Sequence, residues 1–319
     1  MKRDPQDAYG RSPVTRKWWR YTLTFTFWLG LAVCVWVLAA NWQASADALH
    51  RIRGVIWLVL LMLLGCFWYS SIAVWRSAVQ LHGIPGPGFA DAASHLALLL
   101  LGKYLPGGVW GFLARHASLQ AHGAQAQMQA LVAGLFEQYL GVVTLFLVAA
   151  MLYLAVEIHA TAVLLIPVIP FVTGLGWRIL IGAVKAIRVR LPAKLVLLRQ
   201  APALTPSAAF HAGALSVVMQ LVQLAFVAAF AHWGFQLAWL PSIAIAAVYG
   251  IAIVVGILSI LVPGGIGVRE ATFLLLCGGH LKGTDALAFL AALRLVFTMF
   301  DGATGLVAYA ARLRGALAR

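Results

Sequence analysis

A chain of 319 residues that is 63% hydrophobic and only 10% charged, with a mean hydropathy of +0.92, is not an ordinary soluble domain. Soluble domains carry about a quarter of their residues as charges. The formal net charge of +14 would suit a nucleic-acid partner, but the lysines and arginines collect in alternate loops, the pattern that orients a membrane protein. The composition therefore predicts an all-α integral membrane protein and no nucleic-acid partner.

In chain order, residues 1–20 form a basic tail carrying Lys2, Arg3, Arg11, Arg16, Lys17 and Arg20. The apolar run at 21–40 is long enough to span and has no small-residue cleavage site after it, which predicts a retained first helix, not a secretory signal. Arg51 and Arg53 follow it, and a second span is predicted at 55–75, closed by Arg76. The apolar stretch at 92–113 is interrupted by Pro and Gly. Full spans are then predicted at 128–154 and 161–177, separated by Glu157 and His159.

A central loop at 178–207 holds Arg178, Lys185, Arg188, Arg190, Lys194 and Arg199 without an acid. Spans follow at 208–231, 241–261 and 286–311, with a short apolar piece at 268–277 and Lys282 between the last two elements. Residues 312–319 carry Arg312, Arg314 and Arg319. Because basic residues mark the cytoplasmic side, both termini and the central loop are predicted to be cytoplasmic, and the poorly charged loops external. The expected organisation is one transmembrane domain at 21–311, its first half at 21–177 and its second at 208–311. Cys34, Cys66 and Cys277 lie singly in three apolar segments and form no disulfide or metal-binding pattern.

With Arg76 on the inside and the next full span opening from the inside, the stretch at 92–113 must enter and leave on one side. That predicts a re-entrant hairpin, whose tip would be Lys103-Tyr104-Leu105-Pro106-Gly107-Gly108-Val109-Trp110-Gly111; a kinked ordinary span is the alternative. The same punctuation recurs as Leu261-Val262-Pro263-Gly264-Gly265-Ile266-Gly267-Val268-Arg269-Glu270. Paired interruptions at corresponding places in two halves are the sequence sign of an inverted-repeat transporter with its site near mid-membrane. Helix breaks also offer backbone N–H groups and positive dipole ends to anions, and Arg115 and Arg269 stand just past the two breaks.

Among nine acids, Glu137, Glu270 and Asp301 lie in or beside apolar segments, where each costs about 3 kcal/mol at a helix centre. Glu137 suits an internal salt bridge or a transport role equally. Arg294 and Asp301 share one face two turns apart and should each find a partner on another helix. Arg269 and Glu270, being adjacent, are expected to point apart, with Arg269 on the ligand and Glu270 in structural pairing. Gln220 and Gln223 line one face of a span, as interior lining or as interhelical hydrogen-bond partners. His95 and His211 are expected at interfaces, and no metal spacing occurs.

No GxxxxGK[ST] is present, so no P-loop hydrolyses ATP, and no cofactor is implied. The one close acid pair, Asp4 and Asp7, lies in the tail, which argues against a metal-dependent membrane transferase and against an enzyme.

The stretches Gly102 to Gly111, Phe136-Glu137 and Pro263 to Ala271 resemble the transmembrane region of lysylphosphatidylglycerol synthases, the flippase-like family, over most of the chain. The resemblance implies a stand-alone member lacking the soluble synthase domain, and the apolar runs with the paired breaks predict a bundle of about seven spans with two re-entrant or half-spanning elements. It departs from the family at Gly108, where a basic residue often stands, leaving that charge to Lys103 or Arg115. The expected function is translocation of a polar, phosphate-bearing lipid across the cytoplasmic (inner) membrane. Its headgroup would pass Arg269, Lys103, Arg115 and Arg294, so membrane lipids are the expected partners. The alternative is a non-transporting subunit that presents lipid to a separate lipid-modifying enzyme.

Overall fold

The computed structural model describes residues 36, 39–102, 115, 124–186, 202–259, 265 and 267–317. Among these, every regular element is helical. They are α1 (Trp42–Arg51), α2 (Gly54–Leu81), α3 (Phe89–Gly102), α4 (Ala124–Glu157), a 3₁₀ segment (Ala160–Val168), α5 (Ile169–Ala186), α6 (Pro206–Phe235), α7 (Trp239–Leu258), α8 (Val268–Leu276) and α9 (Gly283–Leu317).

Six helical stretches are long and apolar enough to cross a membrane, at Gly54–Leu81, Gln129–Glu157, Ala160–Ala186, Pro206–Phe235, Trp239–Leu258 and Gly283–Ala308. They coincide with six of the seven expected spans. The seventh, at 21–40, lies almost wholly outside the described residues. α3 with 14 residues and α8 with 9 are shorter. At 1.5 Å per residue they extend about 21 Å and about 13 Å, against a hydrocarbon core of about 30 Å.

Two elements differ from expectation. The span predicted at 161–177 is a 3₁₀ segment followed by an α-helix, because Pro167 and Pro170 remove two backbone donors and the first turns tighten around them. The loop predicted from residue 178 begins later, since α5 runs on to Ala186. Between Arg178 and Lys185 the chain reads Ile-Leu-Ile-Gly-Ala-Val, apolar enough to continue the helix while the two cations reach outward.

The bundle is knit by close backbone approach at small residues, the usual adhesive where lipid offers no hydrophobic contrast. A Cβ on Gly250 of α7 would lie 2.9 Å from Ala149 Cβ of α4, and one on Gly213 of α6 would lie 3.0 Å from Pro170 Cα of α5. α6 is the hub, touching α2, α4, α5 and α7. Side chains such as Met62, Leu164, Phe171 and Leu306 stand exposed on the outside of the bundle, the apolar surface a lipid solvent requires.

The sparsely charged turns gather at one end. Glu157 after α4 meets His280 between α8 and α9, at 2.7 Å. Ser45 of α1 donates to the Ala288 carbonyl of α9 at 3.2 Å, and Gly234 near the end of α6 packs on Ala48 and Ile52. This end holds Arg51, Arg53, Glu157, His159 and Lys282, the residues expected to share one compartment.

Candidate functional site

The second interruption gathers three charged side chains, Arg269, Glu270 and Arg294. α7 stops at Leu258 and the chain returns as the short α8, whose N-cap Gly267 has φ +87°. Glu270 turns back towards its own helix start, where Oε2 accepts the Gly267 N–H at 2.7 Å, satisfying a donor that the helix leaves orphaned. Its other oxygen, Oε1, accepts from Arg269 Nε at 3.4 Å and from Arg294 Nη2 of α9. Arg269 and Glu270 therefore do not point apart as adjacent residues were expected to. The Cα–Cβ vectors diverge, but Glu270 is pulled towards the helix start and the long Arg269 side chain follows it.

The Arg269 guanidinium also faces the Tyr249 ring of α7, 5.4 Å from the centroid. The side chains of Arg269, Glu270 and Arg294 keep 20%, 17% and 25% exposure, so the cluster is partly open. Arg294 finds its expected partner on another helix. Asp301 of α9 is 3% exposed.

Glycine is required here for two distinct reasons. A Cβ on Gly265, where φ is +64°, would come 2.6 Å from the Gly256 Cα and would collide with backbone that cannot yield. A Cβ on Gly267 would meet nothing within 4 Å and would carry only the left-handed strain, about 1 to 2 kcal/mol. Gly265→Ala is therefore expected to lower the melting temperature in detergent more than Gly267→Ala does. Equal losses would show that the approach of α7 to the break is not held by the glycine contact. Pro263 and Gly264 lie outside the described residues.

Around the first interruption, Lys103, Pro106, Gly107 and Gly108 also lie outside the described residues. Arg115 beyond it is fully buried, and its Nη2 donates to Glu137 Oε2 of α4 at 2.6 Å. The guanidinium stacks on Trp75 of α2, 3.1 Å from the ring centroid, and Trp75 Nε1 donates to His95 Nδ1 at 3.4 Å. Of the two roles open to Glu137, this geometry is the internal salt bridge. Arg115 itself keeps no exposed surface. His95, expected at an interface, is instead buried at 4% exposure because α2 and α3 close over it. Gln220 reaches across to the Gly141 carbonyl of α4 at 3.1 Å, an interhelical bond, while His211 is exposed.

No family model, curated protein or solved structure matches this chain, so the resemblance noted above rests on its motifs alone.

The two ion pairs share a pattern that neither motif reveals by itself. Glu137 lies 31 residues after Pro106, and Arg294 lies 31 residues after Pro263. In both cases a charge on the long helix after the break pairs with a charge just past the break, and the signs are reversed: Arg115 with Glu137, Glu270 with Arg294. In the first pair the Trp75 ring of α2 lies under Arg115, and beside the second the Tyr249 ring of α7 lies under Arg269, the neighbour of Glu270. The sequence reading missed Trp75 and Tyr249, since an aromatic within an apolar span carries no distinguishing local signal.

Asp301 is enclosed, whereas Asp91 is exposed in the first turn of α3. Asp301→Asn is expected to reduce the yield of monodisperse protein, and Asp91→Asn to stay within about 0.5 kcal/mol of the parent, as surface changes do. Indistinguishable yields would mean that the enclosed Asp301 carboxylate does not help hold the bundle together.

Proposed function

We propose that this protein is a lipid translocator, moving a polar, phosphate-bearing lipid across the cytoplasmic membrane without bond chemistry. The observation that carries the reading is the meeting of Arg269 and Arg294 on Glu270 at the start of α8, partly open where the Arg115–Glu137 pair is closed. Two guanidiniums beside one carboxylate and a helix N-terminus match what a phosphate monoanion or diester needs: fork-shaped donors, backbone N–H groups and low dielectric. A headgroup arriving there exchanges its phosphate for Glu270 on one arginine, so the guanidinium is never left bare in hydrocarbon. The acyl tails stay in lipid while the headgroup crosses among fixed donors.

The equal spacing of Glu137 from Pro106 and of Arg294 from Pro263 supports an inverted repeat with half-spanning or re-entrant elements, the architecture in which such sites sit at mid-membrane. The short α8 supports it as well. An inside-negative potential favours outward movement of an anion by about 2.3 kcal/mol per charge per 100 mV, which supplies a direction without ATP.

The test is purified protein in liposomes with a panel of fluorescent lipids, scored by loss of signal to an impermeant quencher. Accelerated flipping of phosphate-bearing lipids over neutral ones is expected. Binding of these lipids without acceleration would favour the subunit that presents lipid to a separate enzyme.

Orientation is part of the proposal, with both termini and the basic loop cytoplasmic. In a chain whose native cysteines are replaced by alanine, Glu157→Cys and His280→Cys are expected to react with an impermeant maleimide on intact cells, and Lys185→Cys to stay protected. The reverse pattern would invert the topology.

A further inference from the structure

Away from the charge cluster, α5 and α6 enclose a groove of about 230 Å³ on the outer face of the bundle. Its floor is made by Pro170, Gly174 and Ala209 and its walls by Phe171, Leu175 and Phe210, while Arg178 and Pro206 stand at one end. The groove exists because the two helices touch through small residues. A Cβ on Gly174 would lie 3.1 Å from Ala209 Cβ, so the backbones meet there and the larger side chains splay to either side. Phe171 and Phe210 pair across the crossing with ring centroids 4.5 Å apart.

We propose that this groove is a binding site for an anionic phospholipid, separate from the translocation cluster, with an acyl chain along the floor and the phosphate on Arg178. The volume holds roughly seven methylene-sized groups, taking about 30 Å³ for each as for a water molecule. Phe171 and Leu175 are 62% and 60% exposed, an apolar surface fit for a chain and unfit for water or a polar peptide.

The mouth is cationic on several counts. Arg178 is exposed, and among the described residues no carboxylate lies within ion-pair distance of it. Pro206 begins α6, so Arg178 lies level with a helix N-terminus, whose cap is Thr205 accepting from the Ala208 N–H. Lys185 follows two turns further along α5. A tail-shaped apolar channel ending in one guanidinium and a positive helix end complements a lipid phosphate, and it lies at the end of the bundle whose loop is most basic. Neutral zwitterionic lipid fills the channel equally well but gains less at its mouth.

The test uses the full purified chain in mixed micelles with phosphatidylglycerol or phosphatidylcholine bearing a diazirine on the acyl chain, with labelled peptides mapped after illumination. Phosphatidylglycerol is expected to label residues 169–178 and 206–211. Arg178→Gln should reduce that labelling about fivefold, the factor equivalent to about 1 kcal/mol for one cation near a lipid surface. Leu175→Trp, which blocks the channel and leaves the charge, should reduce it for both lipids. Arg269→Lys should leave it unchanged, which separates this site from the translocation cluster whether or not that cluster moves lipid. Equal labelling by the two lipids, insensitivity to Arg178→Gln in folded protein, or displacement by millimolar inorganic phosphate alone would each overturn the assignment.

Discussion

Arg115→Met is expected to leave little folded protein. Its guanidinium is fully buried, engages Glu137 at 2.6 Å and lies on the Trp75 ring, so the substitution strands a buried carboxylate without its cation. Breaking a buried pair from one side costs about 3 to 5 kcal/mol, far more than the pair contributes over apolar residues of similar volume. Glu137→Gln should also destabilise, since it leaves the cation with a neutral partner in the same place. The informative variant is the double one, Arg115→Met with Glu137→Gln, which removes both charges and should recover most of the monodisperse yield and melting temperature. Recovery in the double variant, with loss in each single one, is the signature of a structural pair. If Arg115→Met alone behaves like the parent, the pair does not hold α4 in place.

That pair also marks the limit of what the sequence disclosed. The spans were legible because hydropathy accumulates over some 20 residues, so six of the expected runs became helical, most with ends close to those expected and one running on from 177 to Ala186. The second interruption was legible too, because Pro-Gly-Gly within an apolar run leaves a helix little choice, and α8 is short as the motif implied.

Which charge meets which was not legible. Arg115 and Glu137 are 22 residues apart, and Glu270 and Arg294 are 24, separations bridged by a turn of the chain that no local pattern reports. For Arg269 and Glu270 a local rule existed and misled, because it describes where side chains leave the helix, not where a long guanidinium ends. His95 shows the same gap in another form. Its neighbourhood in sequence resembles an interface, and only the approach of Trp75 from α2 encloses it. Spacing from each proline to the paired charge on the following helix is readable from sequence, but it acquires meaning only once the pairs are known.

Arg269→Lys is expected to fold and to flip lipid poorly. A lysine keeps the positive charge beside Glu270, so the cap on the Gly267 N–H and the Arg294 contact should survive and stability should change little. What is lost is the planar fork, which grips a phosphate through two parallel bonds, and the stack of that plane over Tyr249. Arg269→Ala removes a charge-assisted hydrogen bond of about 1.5 to 3 kcal/mol as well, equivalent to a loss of about tenfold to a hundredfold in the rate of flipping or in binding of phosphate-bearing lipid. Arg294 cannot compensate, because Glu270 already occupies it and, with Arg269 gone, no second cation among the described residues shares that carboxylate. Liposome assays of both variants, beside size-exclusion profiles to confirm folding, give the answer. Variants that fold, bind and flip like the parent would reduce Arg269 to a clamp on Glu270 and remove the chemical ground for a headgroup site at the second break.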